Sequence, residues 1–258
     1  MNSGDFAAAL ALAERGIQLK PLLVDARMLL FELLCLSGDW ARAAEQLEVV
    51  ARRDGSWILA AGTFRHLLAG ERVRSAVMSG TVPPAFLGDA DPANDTLAKL
   101  LGLARDGEAN AVAQALQGLR ASRKPMVARL NGAAMADWGD TDDRFSDVIE
   151  VILPEGYFWV PVKRVKSLTC EEPAGLTDLI WVGSNITLTD GKTLRGYLPG
   201  RYPSSESSMD SAIRMGWKTT WQEGPGGIQT GAGQRIFWTA DPEVQFSILD
   251  IRTLEVGA

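Results

Sequence analysis

Few residues in this chain could carry chemistry, and most of them lack the neighbours that chemistry needs. His66 is the only histidine in 258 residues. That removes every multi-histidine metal site and leaves no second-half histidine for a Ser-His-Asp or Cys-His arrangement. It lies in an amphipathic stretch, where a single histidine reads as structural. Cys35 and Cys170 are far apart and show no Cys-x-x-Cys spacing. Neither a zinc site nor a disulfide framework is indicated, which fits a reducing compartment. Asp140-Thr141-Asp142-Asp143 is the densest acidic run. A calcium loop counted from Asp140 would need Gly and Glu at its sixth and twelfth positions, where Phe145 and Val151 stand. The run reads as a solvated turn with Arg144 pairing locally. The enzymatic alternative is a carboxylate-based hydrolase using Asp140, Asp142 or Glu150, which requires a deep pocket and a raised carboxylate pKa. Gly224-Pro225-Gly226-Gly227 through Gly233 lacks the Gly-Lys-Ser/Thr ending of a phosphate loop. These glycines read as tight turns and close backbone approach before a strand at Arg235.

Tryptophan is the other chemically distinctive residue. Six of the eight lie from Trp138 onward. Trp159, Trp181 and Trp238 fall in strand-like runs and are expected in the core. Trp217 and Trp221 flank a turn-rich stretch; aromatic residues beside arginine suit either a protein-binding hot spot or the filling of a core.

The elements that must position these residues divide the chain in two. Gly4-Asp5-Phe6 and Gly38-Asp39-Trp40 open two helical stretches 34 residues apart, the period of tetratricopeptide-type helix pairs. Gly ends one helix, Asp caps the free N–H groups of the next, and the aromatic residue begins the buried face. Ala9, Leu10, Ala13 and Ile17 make one stripe, and Ala43, Ala44, Leu47, Val50 and Ala51 repeat it. Leu22 to Leu36 form the partner helix behind Pro21, and a third helix is expected from about Trp57 to Met78. Further helices are expected near Thr96–Arg105 and Glu108–Arg123.

Around Asp137 the character changes to short β-branched and aromatic runs. Expected strands are Val148–Leu153, Tyr157–Val162, Asp178–Val182, Ile186–Thr189, Thr193–Leu198, Arg235–Thr239 and Val244–Ile251. Asp190-Gly191 signals a type I′ hairpin, and Ser205–Met215 is the one expected helix of this half. Short turns leave no room for crossover helices, so the sheet should be largely antiparallel. The expectation is an α+β chain of two domains: residues 1–136, a helical domain like tetratricopeptide repeats, and residues 137–258, a Trp-rich antiparallel α+β domain.

Charge follows the same division. Fifteen basic residues meet 14 acidic ones through Ala136, and 11 meet 18 from Asp137 on. A total of −6 offers no attraction to nucleic acid or anionic lipid. No apolar run reaches the roughly 18 residues of a membrane span. The stretch Ala7–Ala13 lacks the basic leader of a signal peptide.

With these segments in order, the chain resembles the ImpE/TagJ family, accessory proteins of type VI secretion systems. The resemblance runs through Ala26–Cys35, Gly38-Asp39-Trp40, Asp140–Arg144, Gly156–Pro161, Asp178–Trp181, Leu198–Pro203, Thr219–Trp221, Gly231–Arg235 and Leu249–Arg252. It implies a repeat-like helical domain followed by an α+β domain, in a cytoplasmic protein without catalytic activity, metal or cofactor. It also implies a partner, the small subunit of the contractile sheath, bound through that subunit's N-terminal helix near the ATPase that recycles contracted sheath. The residues expected to meet the partner are Trp217, Trp221, Arg201, Tyr202 and Arg235. A general helical-repeat scaffold unrelated to secretion is the remaining alternative.

Overall fold

The helical half is built from the local signals that its sequence carries. A computed structural model of the protein describes residues 6–88 and 91–257. Its first helices are α1 (Phe6–Leu19), α2 (Val24–Leu36), α3 (Trp40–Arg53) and the longer α4 (Ile58–Met78). At the end of α2, Gly38 takes a φ of +73°. The Asp39 N–H then donates to the Leu34 carbonyl at 2.9 Å and the Gly38 N–H to Cys35 at 3.2 Å, a Schellman closure that glycine permits. The Asp39 carboxylate next accepts from the Arg42 N–H and starts α3. The matching Gly4-Asp5 signal lies outside the described residues. Helices α5 (Pro92–Arg105) and α6 (Ala109–Ser122) complete this half. Asp91 caps α5, and Pro92 occupies its first turn.

Extended structure begins at Ala128, ahead of the expected boundary. Strands β1 (Ala128–Leu130), β2 (Ala133–Met135) and β3 (Trp138–Asp140) lead into the regular hairpin of β4 (Val148–Leu153) and β5 (Gly156–Pro161). Then follow β6 (Val165–Cys170), β7 (Trp181–Leu188), β8 (Thr193–Pro199), the short α7 (Ser211–Arg214), β9 (Thr219–Glu223), β10 (Gln229–Gly233), β11 (Ile236–Thr239), β12 (Gln245–Ser247) and β13 (Thr253–Val256). Eight strands form one sheet in the order β2-β1-β13-β6-β7-β8-β4-β5, and β12-β11-β3 and β10-β9 form two smaller ones. All these pairings are antiparallel, as expected.

Four local expectations are corrected. The strands expected at Asp178–Val182 and Ile186–Thr189 are a single strand, β7, which follows a helical turn over Thr177–Leu179 because that segment has no strand partner. The β7–β8 turn is not type I′. Of its residues only Gly191 has positive φ, at +87°, and its N–H bonds back to Leu188 at 2.9 Å. That is the three-residue hairpin loop, a tight turn followed by a left-handed glycine. The expected strand Val244–Ile251 stops at Ser247, where Ser247 and Asp250 bond reciprocally around a single helical turn. The expected helix 205–215 is two short turns, with Asp210 capping the second.

Helix α4 lies across one face of the large sheet and makes the two halves one packing unit. Strand β4 is buried on both faces. Val148 and Ile152 join the core shared with the helices, while Ile149, Val151 and Leu153 join a second core on the other face. Period-2 alternation therefore aims Glu150 at α4. The free edge of β5 is covered by the segment before α5. Trp159 N–H donates to the Ala85 carbonyl at 2.8 Å, and Leu87 N–H donates to the Trp159 carbonyl at 2.9 Å, which closes the edge to other strands.

Candidate functional site

Glu150 anchors a buried network of charges between the two halves. Arg74 of α4 grips it with both ends of its guanidinium, at 2.7 and 3.0 Å, and donates to the Arg201 carbonyl at 2.8 Å. Arg235 reaches Glu150 at 2.7 Å and Asp140 at 2.5 Å. The Tyr157 hydroxyl donates to Glu150 and the Trp159 indole N–H donates to that hydroxyl, both at 2.5 Å. Tyr202 donates to Asp140 at 2.7 Å. Glu71 lies 3.5 Å from Arg74 and accepts from the Trp181 indole at 2.9 Å. Burial alone would lift the Glu150 pKa, but Arg74 and Arg235 more than offset it and hold the carboxyl at about 2. Burial wins at Asp140 despite Arg235, and at Glu71 despite Arg74, so both stay above their ordinary values. Arg201 donates to the carbonyls of Leu36 and Arg214. With no carboxylate among the described residues bonded to it, burial brings its pKa down to about 10.

This geometry corrects three of the five residues expected at a binding surface. Arg201, Tyr202 and Arg235 are 4%, 0% and 1% exposed. Each is consumed by joining the helical half, β4 and the β10–β11 region, so none can be a first contact for a partner. The acidic run is corrected too. Asp140 and Asp142 are buried rather than solvated. The local Arg144 pairing is present, at 2.6 and 2.9 Å to Asp142, and Asp142 also accepts from the Gly231 N–H at 2.8 Å. Its neighbour Asp143 accepts from Gln229 N–H at 2.7 Å. The run is thus a clasp for β10, and its buried carboxylates are occupied by arginine, tyrosine and backbone donors. Sequence reading missed Glu71 and Arg74. Both fall on the buried stripe of α4 that includes Leu67, Gly70 and Val77, and a charge pair on an apolar stripe was the available signal.

Trp217 and Trp221 are the two expected residues that reach solvent, at 51% and 40% exposed. Trp217 follows α7, its N–H held by the Ala212 carbonyl at 2.8 Å. Trp221 lies in β9, edge-on to Tyr202 with ring centroids 5.5 Å apart. Gly231, opposite Trp221 in β10, leaves room for both rings.

A second surface feature lies where α4 faces β7 and β8. Two adjoining hollows of about 320 and 200 Å³ share Thr63, Leu67, Glu171, Gly183 and Tyr197. The larger also holds His66 and Arg195. The smaller holds Phe64, Trp181, Glu172 and Asp178.

Comparison with known proteins agrees with this architecture. A family model described as ImpE protein matches residues 132–255, and a tetratricopeptide repeat model matches residues 1–62. The chain is 33% identical over 256 residues to the type VI secretion system accessory component TagJ of Pseudomonas aeruginosa, covering 99% of this chain and 89% of that protein. A crystal structure of a Vibrio parahaemolyticus protein shares the fold, with a TM-score of 0.88 at 23% identity over 98% of this chain and 94% of that one.

Proposed function

The chain belongs to the ImpE family of type VI secretion accessory proteins, and from that premise we propose that it is a non-catalytic cytoplasmic adaptor. Its partner is the small subunit of the contractile sheath, held through that subunit's N-terminal helix and linked to sheath assembly or to ATPase-driven recycling. The observation that carries this reading is the near-full-length similarity to an accessory component of the secretion system. The geometry adds support. The carboxylates that a hydrolase would use are paired inside the interface between the halves, and Ile58, Leu59, Trp217 and Trp221 offer exposed apolar and aromatic side chains that a helix could cover.

The test is a fluorescence titration. A peptide of the cognate sheath subunit's N-terminal helix is added to the intact protein while tryptophan emission is followed. Saturable binding in the micromolar range, abolished by a proline placed in mid-peptide, is the expected result. Absence of saturation at high micromolar peptide would remove the sheath subunit as the partner.

A further inference from the structure

We propose that the smaller hollow between α4 and the β7–β8 hairpin receives an arginine or lysine side chain from an amphipathic helix of a partner protein. Phe64, Tyr197 and Trp181 are among its lining residues, and Glu171, Glu172 and Asp178 supply carboxylates; no Lys, Arg or His lines it. Phe64 and Trp181 have ring centroids 6.3 Å apart. Trp181 is buried beneath Phe64 and Trp40, so a cation seated there would meet the partly exposed Phe64 and Tyr197 rings with carboxylates around it, the arrangement that favours a guanidinium or ammonium group.

Glu171 is held in position by a missing side chain. Its N–H donates to the Gly183 carbonyl at 2.8 Å, and a Cβ at Gly183 would stand 2.5 Å from Glu171 Oε2. Glycine at 183 thus leaves the carboxylate room to lie over β7 at the cleft. Among the described residues no Lys or Arg forms an ion pair with Glu171 or Glu172, and both are exposed. By contrast Asp178 already accepts from the N–H groups of Ala174 and Gly175 and shapes the loop. The unspent charge is therefore that of the two glutamates.

The apolar part of the occupant is set by α4. Leu59, Thr63 and His66 fall on one helical stripe; Thr63 lines the smaller hollow and His66 the larger one beside it. Leu59 and its neighbour Ile58 are 85% and 60% exposed, which extends that wall as bare apolar surface. A partner helix with leucine-like residues against Leu59 and one basic residue about a turn away satisfies both features.

This rests on the adaptor reading only for the natural partner, so two probes are used on the intact protein. One is the sheath-subunit peptide. The other is a designed amphipathic helix carrying leucines and two arginines on one face. Glu171→Gln with Glu172→Gln, and separately Leu59→Ser, alter exposed positions and should leave the far-UV circular dichroism unchanged. The expected result is that the double Gln variant weakens the arginine helix at least about tenfold and flattens its salt dependence, while Trp217→Ala has no effect. If the sheath peptide binds and shows the same losses, its seat is this cleft. Equal binding of the sheath peptide to wild type and variants would overturn the cleft as its site and leave the adaptor reading standing. Binding of the arginine helix alone, lost in the double variant, would keep the cleft and remove the sheath subunit. No binding of either peptide at millimolar concentration would overturn both.

Discussion

Glu150 is a fully buried carboxylate, and its pKa near 2 makes acid the agent that takes the protein apart. The folded value lies below the ordinary 4.5, so its contribution is complete above pH 4.5 and disappears as pH falls toward 2. A shift of that size corresponds to about 3 kcal/mol. Asp140 and Glu71 act in the opposite sense. Their raised pKa values mean that their charging costs stability at neutral pH, and protonation removes that cost first. Urea midpoints measured against pH should therefore rise slightly on acidification from neutrality and then fall steeply below about 4.5. Glu150→Gln should lack the steep fall; a variant curve parallel to wild type would refute the assignment. Arg235→Met gives a second prediction at this scale. It strips one partner from both Asp140 and Glu150, and leaving buried charges uncompensated costs roughly 3–5 kcal/mol. Denaturant unfolding at neutral pH reads that loss directly.

The elements meet through α4, whose two interior glycines have opposite roles. At Gly62 an added methyl would meet nothing within 4 Å, so Gly62→Ala should stabilise by about 0.5–1 kcal/mol through helix propensity. At Gly70 the same methyl would stand 2.6 Å from Ile152 Cγ2. Gly70→Ala should therefore cost about 1–3 kcal/mol by pushing the helix off the sheet, and Ile152→Val added to it should return part of the loss. Thermal melts of the two single variants shifting in the same direction would contradict this packing. Much at this scale was legible in sequence, because β4 and β5 carry dense runs of Val, Ile, Tyr, Phe and Trp and Asp190-Gly191 marks the turn into β8. Strand β6 was not. Lys166, Ser167 and Thr169 dilute its run, and its strand character comes from pairing with β7 and with β13, distant in sequence. The β1–β2 hairpin was missed for a related reason: Ala-rich segments of three residues have little propensity, and β1 is held by the C-terminal β13.

At the scale of the whole molecule the network that joins the halves was hidden because its bonds are long in sequence: Arg74 meets Glu150 across 76 positions and Arg235 meets Asp140 across 95. Residue type and spacing left Trp217 and Trp221 open between surface and core, and could not tell a buried arginine from a surface one, since both sit beside aromatic residues and glycines. The same long bonds carry a thermodynamic consequence. Phe31, Leu67 and Leu97 of the helical half share one core with Ile152, Trp159 and Trp181 of the sheet half. Helix α4 also contributes Arg74 to a carboxylate of β4. Neither half can open without exposing the apolar face and the charges of the other, so two architectures should unfold as one cooperative unit. Circular dichroism at 222 nm follows chiefly the helices, whereas tryptophan emission follows chiefly the second half, where six of the eight tryptophans lie. The two signals should trace the same urea transition, and Arg74→Met should move both midpoints together. Helical signal that survives after the emission change is complete would mean that the first half is stable alone, and that the charge network between the halves is an attachment rather than part of a common core.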